Sequence, residues 1–208
     1  MGEIAEQQVV TREAADYLRQ GVKSVLGHAV QAYRQGIKVY QSLQNLNEVI
    51  GTEYGNRVIY ELIQNAHDAH KPDERGRIAV SLIIENASRG TLYIANEGQG
   101  FRLQDVEAVK NLATSSKEIG EGIGNKGLGF RSIEALTQSV RIYSRAETNG
   151  AERFEGFCFR FADVEEIAQN IHALGVDEVT SDVVAKTLPR YLVPVPLEEQ
   201  PDDVRVFA

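Results

Sequence analysis

Glu61, Asn65 and Asp68 stand at i, i+4 and i+7 in the run Glu61-Leu62-Ile63-Gln64-Asn65-Ala66-His67-Asp68-Ala69. On a helix of 3.6 residues per turn these three side chains share one stripe. Leu62, Ile63, Ala66 and Ala69 supply an apolar flank suited to packing on a sheet. A carboxylate can position or deprotonate an attacking water, and an amide oxygen can hold a hard cation such as Mg2+ without adding negative charge. Glu61 is therefore the candidate base and Asn65 the candidate metal ligand. Asp68, one turn further on, can orient water or meet the polar edge of a ligand. The competing reading is an ordinary solvated helix face. His67 turns away from the stripe and, like His70, carries no functional signal.

Two glycine-rich segments follow in order. Ile94-Ala95-Asn96-Glu97-Gly98-Gln99-Gly100-Phe101 ends an apolar strand in a polar residue followed by alternating glycines. Gly98 and Gly100 permit close backbone approach, so a base and its sugar could lie against them. Asn96 offers both a donor and an acceptor to an adenine edge, or it closes a turn on its own backbone. Further on, Gly124-x-x-Gly127-x-Gly129 immediately precedes a predicted helix, which leaves free backbone N–H groups where phosphates can dock. Lys126 adds a positive charge there. Lys117 reaches toward the same phosphates or stays solvated. The pattern is neither a Walker A loop nor a Rossmann fingerprint. Helix stripe and glycine loops, in this order, point to ATP held with Mg2+.

With these residues in view, Glu61-x-x-x-Asn65-Ala66-x-Asp68-Ala69, Asn96-x-Gly98-x-Gly100 and Gly124-x-x-Gly127-x-Gly129 resemble the three nucleotide motifs of the GHKL ATPases. Tyr54-Gly55-Asn56-Arg57 leading into Glu61 is most similar to the sacsin-like, Hsp90-type ATP-binding module of large multidomain proteins. The resemblance covers residues 52–161 and implies a Bergerat fold, an α/β sandwich with helices on one face of a mixed sheet and a lid over ATP. By matching position it implies Glu61 as general base, Asn65 as Mg2+ ligand and Asp68 in the pocket. Gly98 and Gly100 would line the base and sugar. Residues 111–123 would form the lid, with Gly124, Lys126, Gly127, Leu128 and Gly129 around the phosphates. Asn96 stands where the family usually has the aspartate that recognises the adenine amino group. An amide can still accept that hydrogen bond, without the charge assistance.

The expected activity is Mg-dependent ATP binding with slow hydrolysis to ADP and phosphate, coupling lid closure to conformational change in a larger protein. One alternative is a nucleotide-sensing module without turnover. Another is a histidine kinase catalytic domain, which requires an upstream phosphoacceptor. His28 is the only histidine before Glu61, and its neighbours Gly27 and Ala29 offer it no acidic partner.

The elements that must position this chemistry read as α/β. The expected fold is a two-layer sandwich of a mixed, largely antiparallel sheet covered by helices on one face. Residues 1–50 form an N-terminal helical extension, and residues 51–208 an ATP-binding domain cut from a longer protein. The extension is expected as helix from Thr11 to Asn47, with Gly21, Gly27 and Gly36 as bends or breaks. It either mediates dimerisation or extends the core. Thr52 is expected to cap the motif helix, which Pro72 closes. Arg77–Ile84 and Thr91–Ala95 read as a hairpin, Leu103–Leu112 and Phe130–Leu136 as helices, and Val140–Ser144 and Arg153–Phe161 as strands. Asp163 caps a helix toward His172, Ser181–Leu188 is helical, Tyr191–Leu197 is an edge strand because of Pro194 and Pro196, and Val204–Phe207 is a strand.

Bulk properties narrow the partners. The 208 residues carry a net charge of −8, which disfavours broad nucleic-acid or anionic-membrane binding. No run is long and apolar enough to span a bilayer. The lone Cys158 fits a reducing compartment, and its place in Phe157-Cys158-Phe159-Arg160-Phe161 makes it strand packing. The expected location is cytoplasmic. Expected partners are ATP or ADP, further domains of the longer protein, and a homodimer or client protein.

Overall fold

The structure, a computed structural model, describes residues 2–54, 57–73, 75–110, 132–146 and 153–207. It is a mixed α/β fold in which helices cover small antiparallel sheets. Helix α1 (Gly2–Arg34) places Leu18, Val22, Leu26, Ala29 and Val30 at three- and four-residue intervals, and all five are buried. Gly21 and Gly27 stay within the helix; only Gly36 breaks it. Its φ of +70° lets Gly36 N–H reach the Tyr33 carbonyl at 2.9 Å and Ile37 N–H the Ala32 carbonyl at 2.9 Å. This closed C-terminal turn is one that glycine adopts without the Cβ penalty. Helix α2 (Val39–Tyr54) follows at once.

Thr52 does not cap the next helix. It lies in the last turn of α2, where its hydroxyl donates back to the Glu48 carbonyl at 3.0 Å. A threonine hydroxyl makes that i−4 bond within its own helix as readily as it caps another. The motif helix α3 (Val58–Asp68) starts instead at Arg57, without a side-chain cap.

Strands β1 (Ile78–Asn86) and β2 (Arg89–Asn96) form an antiparallel hairpin in the register Ile78↔Asn96 to Ile84↔Gly90, with a bulge before Asn86. Helix α4 (Leu103–Lys110) comes next. A second sheet has the order β3 (Arg141–Ile142), β4 (Phe159–Phe161), β5 (Pro194–Pro196), all antiparallel. Strand β5 is an edge, as its prolines require. Among the described residues the strands therefore form two sheets rather than one.

The core lies between α1, the second sheet, and the helix pair α5 (Val164–Ala173) and α6 (Glu178–Thr187). Phe159, Ile167 and Ile171 are fully buried there beside Leu18. Asp163 caps α5 by accepting from Glu166 N–H at 2.8 Å, as expected. Asp177 accepts from Thr180 N–H at 2.9 Å, which starts α6 a turn earlier than its apolar residues suggest.

Three further expectations are corrected. Val204–Phe207 is not a strand: Pro201, at φ −59°, leads into the short helix α7 (Asp202–Arg205), whose first turn carries two acids. The three-residue spacing puts Val204 and Phe207 together, where they join Phe154 and Tyr93 in a small second cluster. Residues 153–158 are irregular, because Gly156 is pressed on the Arg145 carbonyl and donates to the Ser144 carbonyl at 2.8 Å. Of the expected helix Phe130–Leu136, the described part is a 3-10 turn, Ser132–Ala135. No helix among the described residues is long and apolar enough to cross a membrane.

Helix α1 thus shares the main core with α5 and α6. Leu18→Ala should cost about 3 kcal/mol of unfolding free energy, measured by urea denaturation. A loss below about 0.5 kcal/mol would place α1 outside the cooperative unit.

Candidate functional site

The α3 stripe is held by the apolar flank read from its sequence. Val58 and Ala66 are buried, and Leu62 and Ile63 are half-buried. Glu61 and Asn65 are also half-buried, whereas Asp68 is exposed. At the end of the helix, the Ala69 carbonyl accepts from Gln99 N–H at 2.8 Å. A Cβ on Gly98 would stand 2.6 Å from the carbonyl carbon and oxygen of Ala69. The end of α3 and the Asn96–Gly100 turn are therefore joined backbone to backbone.

The turn is tied on its far side as well. A Cβ on Gly100 would overlap the Arg145 carbonyl oxygen, and Phe101 N–H donates to Ser144 Oγ at 2.7 Å. Both glycines serve close packing of one chain segment on another. Asn96 Oδ1 accepts from Gly98 N–H at 3.0 Å, the turn-closing role weighed for it. Next to it, Glu97 receives the Arg77 guanidinium, with Nε donating at 2.8 Å, and the Arg77 backbone N–H at 3.0 Å. Those bonds hold the Glu97 carboxyl below the usual range. The pair is exposed, so it steadies the end of the hairpin more than it stabilises the fold. His67 is exposed beside Asp68, and the His70 ring lies against Gly76.

Lys117, Gly124, Lys126, Gly127, Leu128 and Gly129 lie outside the described residues. Among the described residues no group of three or more His, Cys, Asp or Glu side chains is placed to hold a metal ion. A cleft of about 460 Å³ is lined by Arg153, Glu198, Glu199, Gln200, Pro201 and Arg205. A second, of about 270 Å³, opens between α1 and α4. Neither draws its lining from α3 or the Asn96–Gly100 turn.

The second cleft contains a cluster that the sequence did not reveal. Lys110, 9% exposed, donates to Glu107 at 2.8 Å and sits 5.1 Å from the centre of the Tyr17 ring. The Tyr17 hydroxyl donates to the same Glu107 oxygen. Burial first, and the hydrogen bond to Glu107 second, push the Tyr17 phenol up to about 12. Burial works against the Glu107 carboxylate, but donation from Lys110 and Tyr17 outweighs it and brings its pKa below the usual value. Gly21 makes the space, since a Cβ there would stand 3.0 Å from Lys110 Nζ. The Glu107–Lys110 spacing of three was legible on α4; Tyr17, far away in sequence, was not.

Cys158 is buried, and its thiol is pushed up to about 11 by burial, partly offset by its contact with the Ser144 carbonyl. It is a packing residue, as expected, though it lies just before β4 rather than within a strand.

Over 134 residues, 64% of the chain, the sequence is 27% identical to Protein NO VEIN of Arabidopsis thaliana. The match spans only 4% of that protein's length. No family model and no solved structure matches the chain.

Two outcomes test this geometry. Gly98→Ala should destabilise the fold by about 1–3 kcal/mol, because rigid backbone lies where the methyl must go; an unchanged urea midpoint would contradict the contact. Cys158 should resist alkylation by iodoacetamide at about pH 8 in the native chain and react promptly in urea, as followed by mass spectrometry.

Proposed function

We propose that this chain is an ATP-binding module of the GHKL type with a Bergerat-like arrangement, turning over ATP slowly to ADP and phosphate. The observation that supports the reading is the junction of the end of α3 with the Asn96–Gly100 turn through Gln99 N–H and Ala69 O. It joins the helix that carries the acid, the amide and the acid to the turn that the resemblance assigns to the base and sugar.

The residues present suit such a ligand. Mg2+ keeps several waters and takes one or two protein oxygens besides phosphate. A single amide at Asn65 is then sufficient, with no dedicated acidic cluster, and the bound cation supplies charge neutralisation at the phosphates. Glu61, one helical turn before Asn65, is half-buried and is the group that positions and deprotonates water. Asn96 Oδ1 accepts from Gly98 N–H, which leaves it one further lone pair and the Nδ2 donor. Such an amide can accept from the adenine amino group or donate to a ring nitrogen of adenine or the carbonyl of guanine. Base discrimination is accordingly weak.

Calorimetry with ATP, ADP and GTP, each with and without Mg2+, tests the reading. Binding of ATP should require Mg2+ for full affinity and exceed GTP by no more than about tenfold, the worth of one hydrogen bond. Glu61→Ala should retain binding and lower turnover by about 100-fold or more. No heat with any nucleotide would end the proposal. Loss of binding with unchanged residual turnover would remove Glu61 from its role.

A further inference from the structure

Strand β1 presents an unusual edge. From Ile78 to Ile84 it runs seven residues without a charge or a proline. Among the described residues it pairs only with β2. Val80, Leu82 and Ile84 point to one face and are 50%, 62% and 72% exposed. Val80 and Leu82 lie opposite Ile94 and Leu92 of β2, so the middle of this face of the hairpin is aliphatic, between Asn96 opposite Ile78 and Gly90 opposite Ile84. The opposite face is closed in part by Phe207, stacked on Tyr93 with ring centres 5.5 Å apart. Edge strands of this length normally carry an internal charge, a proline or a covering element. A two-stranded hairpin is also marginal in water until a third strand or a covering layer joins it.

The strand is complementary to itself. Two copies placed antiparallel about Ser81 bring Ile78 opposite Ile84 and Val80 opposite Leu82, apolar against apolar on the same face. The first charged residues beyond the apolar run are Arg77 at one end and Glu85 at the other. In this register Arg77, the residue just before β1, comes across from Glu85 of the other copy, where the strand enters its bulge. The Arg77 side chain is 87% exposed and so can span its own Glu97 and the incoming carboxylate. A slip by two residues sets Arg77 opposite Ala87 or Ile83 and loses the match. A two-fold interface demands this kind of reciprocity, in which residue i meets j and j meets i.

We infer that the β1 edge is a homodimerisation surface whose occupant is β1 of a second copy of this chain, antiparallel and centred on Ser81. The product is a continuous four-stranded sheet, β2-β1-β1-β2, with the aliphatic faces of both hairpins side by side. Backbone hydrogen bonds along the shared edge hold the copies together, and the two Arg77–Glu85 pairs select the register.

The test is sedimentation velocity of the 208-residue chain over a concentration series, with circular dichroism as a folding check. The wild type should form a reversible dimer. Leu82→Lys should weaken it about 100-fold, two substituted sites contributing about tenfold each. Glu85→Arg alone should weaken it about tenfold, and equimolar mixing with Arg77→Glu should restore association, because the mixed dimer regains both opposite-charge pairs. Ser81→Cys reports the register without depending on the other variants: oxidation should join the two introduced thiols across the two-fold axis, while buried Cys158 takes no part. The inference is overturned by a chain that is monomeric throughout, by a dimer indifferent to Leu82→Lys, or by failure of the position-81 cross-link in a dimer. It is equally overturned if β1 becomes protected only inside a longer polypeptide or by a different protein.

Discussion

The helix that bears Glu61, Asn65 and Asp68 is fixed in the fold by the anchoring of its end against the turn after β2. Here the anchor is the backbone bond from Gln99 N–H to the Ala69 carbonyl, with Gly98 flat against the same peptide. That carbonyl lies just past the end of α3, where helix carbonyls lack an internal partner. The turn after β2 satisfies it, and one hydrogen bond thereby ties the end of α3 to the hairpin and to the chain leading into α4. Gly100 extends the link to Ser144 and Arg145 beyond β3. The alternating glycines are needed for protein-to-protein contact before any ligand is considered.

A comparable constraint governs α1 and α4. Lys110 is nearly enclosed and would be costly if left alone. Glu107 neutralises it, Tyr17 shares the carboxylate and offers its ring face to the ammonium, and the absent side chain of Gly21 leaves the room. The cluster fixes α4, the element that immediately precedes residue 111, against the long helix that carries Leu18 and Leu26 into the core. Polar and apolar contacts thus hold α1 to two different parts of the molecule.

The two sheets contrast in burial. Phe159 and Phe161 on β4 are enclosed by α1, α5 and α6, while Leu82 and Ile84 on β1 face outward. Both strands carry large apolar side chains at these positions. What separates them is the helix layer over Phe159 and Phe161, together with, among the described residues, a strand on each side of β4 against one beside β1. An apolar strand with an open edge and an open face retains unspent association energy, which is the physical basis for self-pairing about Ser81.

Local signals were readable in the chain wherever the cause was local. The apolar spacing of α3 and the capping aspartate at Asp163 depend on residues within a turn of each other, as does the proline bias of β5 toward an edge. The break at Gly36 rather than at Gly21 or Gly27 was not legible, because a glycine inside a helix is tolerated and only the surrounding packing decides which one terminates it. Thr52 misled because a hydroxyl can cap one helix or bond back within another, here to Glu48. Val204–Phe207 misled because an apolar pair fits a strand or a helical turn, and Phe154 and Tyr93, distant in the chain, gather it in the second. The residue types and order of the candidate site were determined by the sequence alone. The tertiary structure alone decided the Ala69–Gln99 bond and the Tyr17–Glu107 contact, since they join positions that only a folded chain brings within hydrogen-bonding distance.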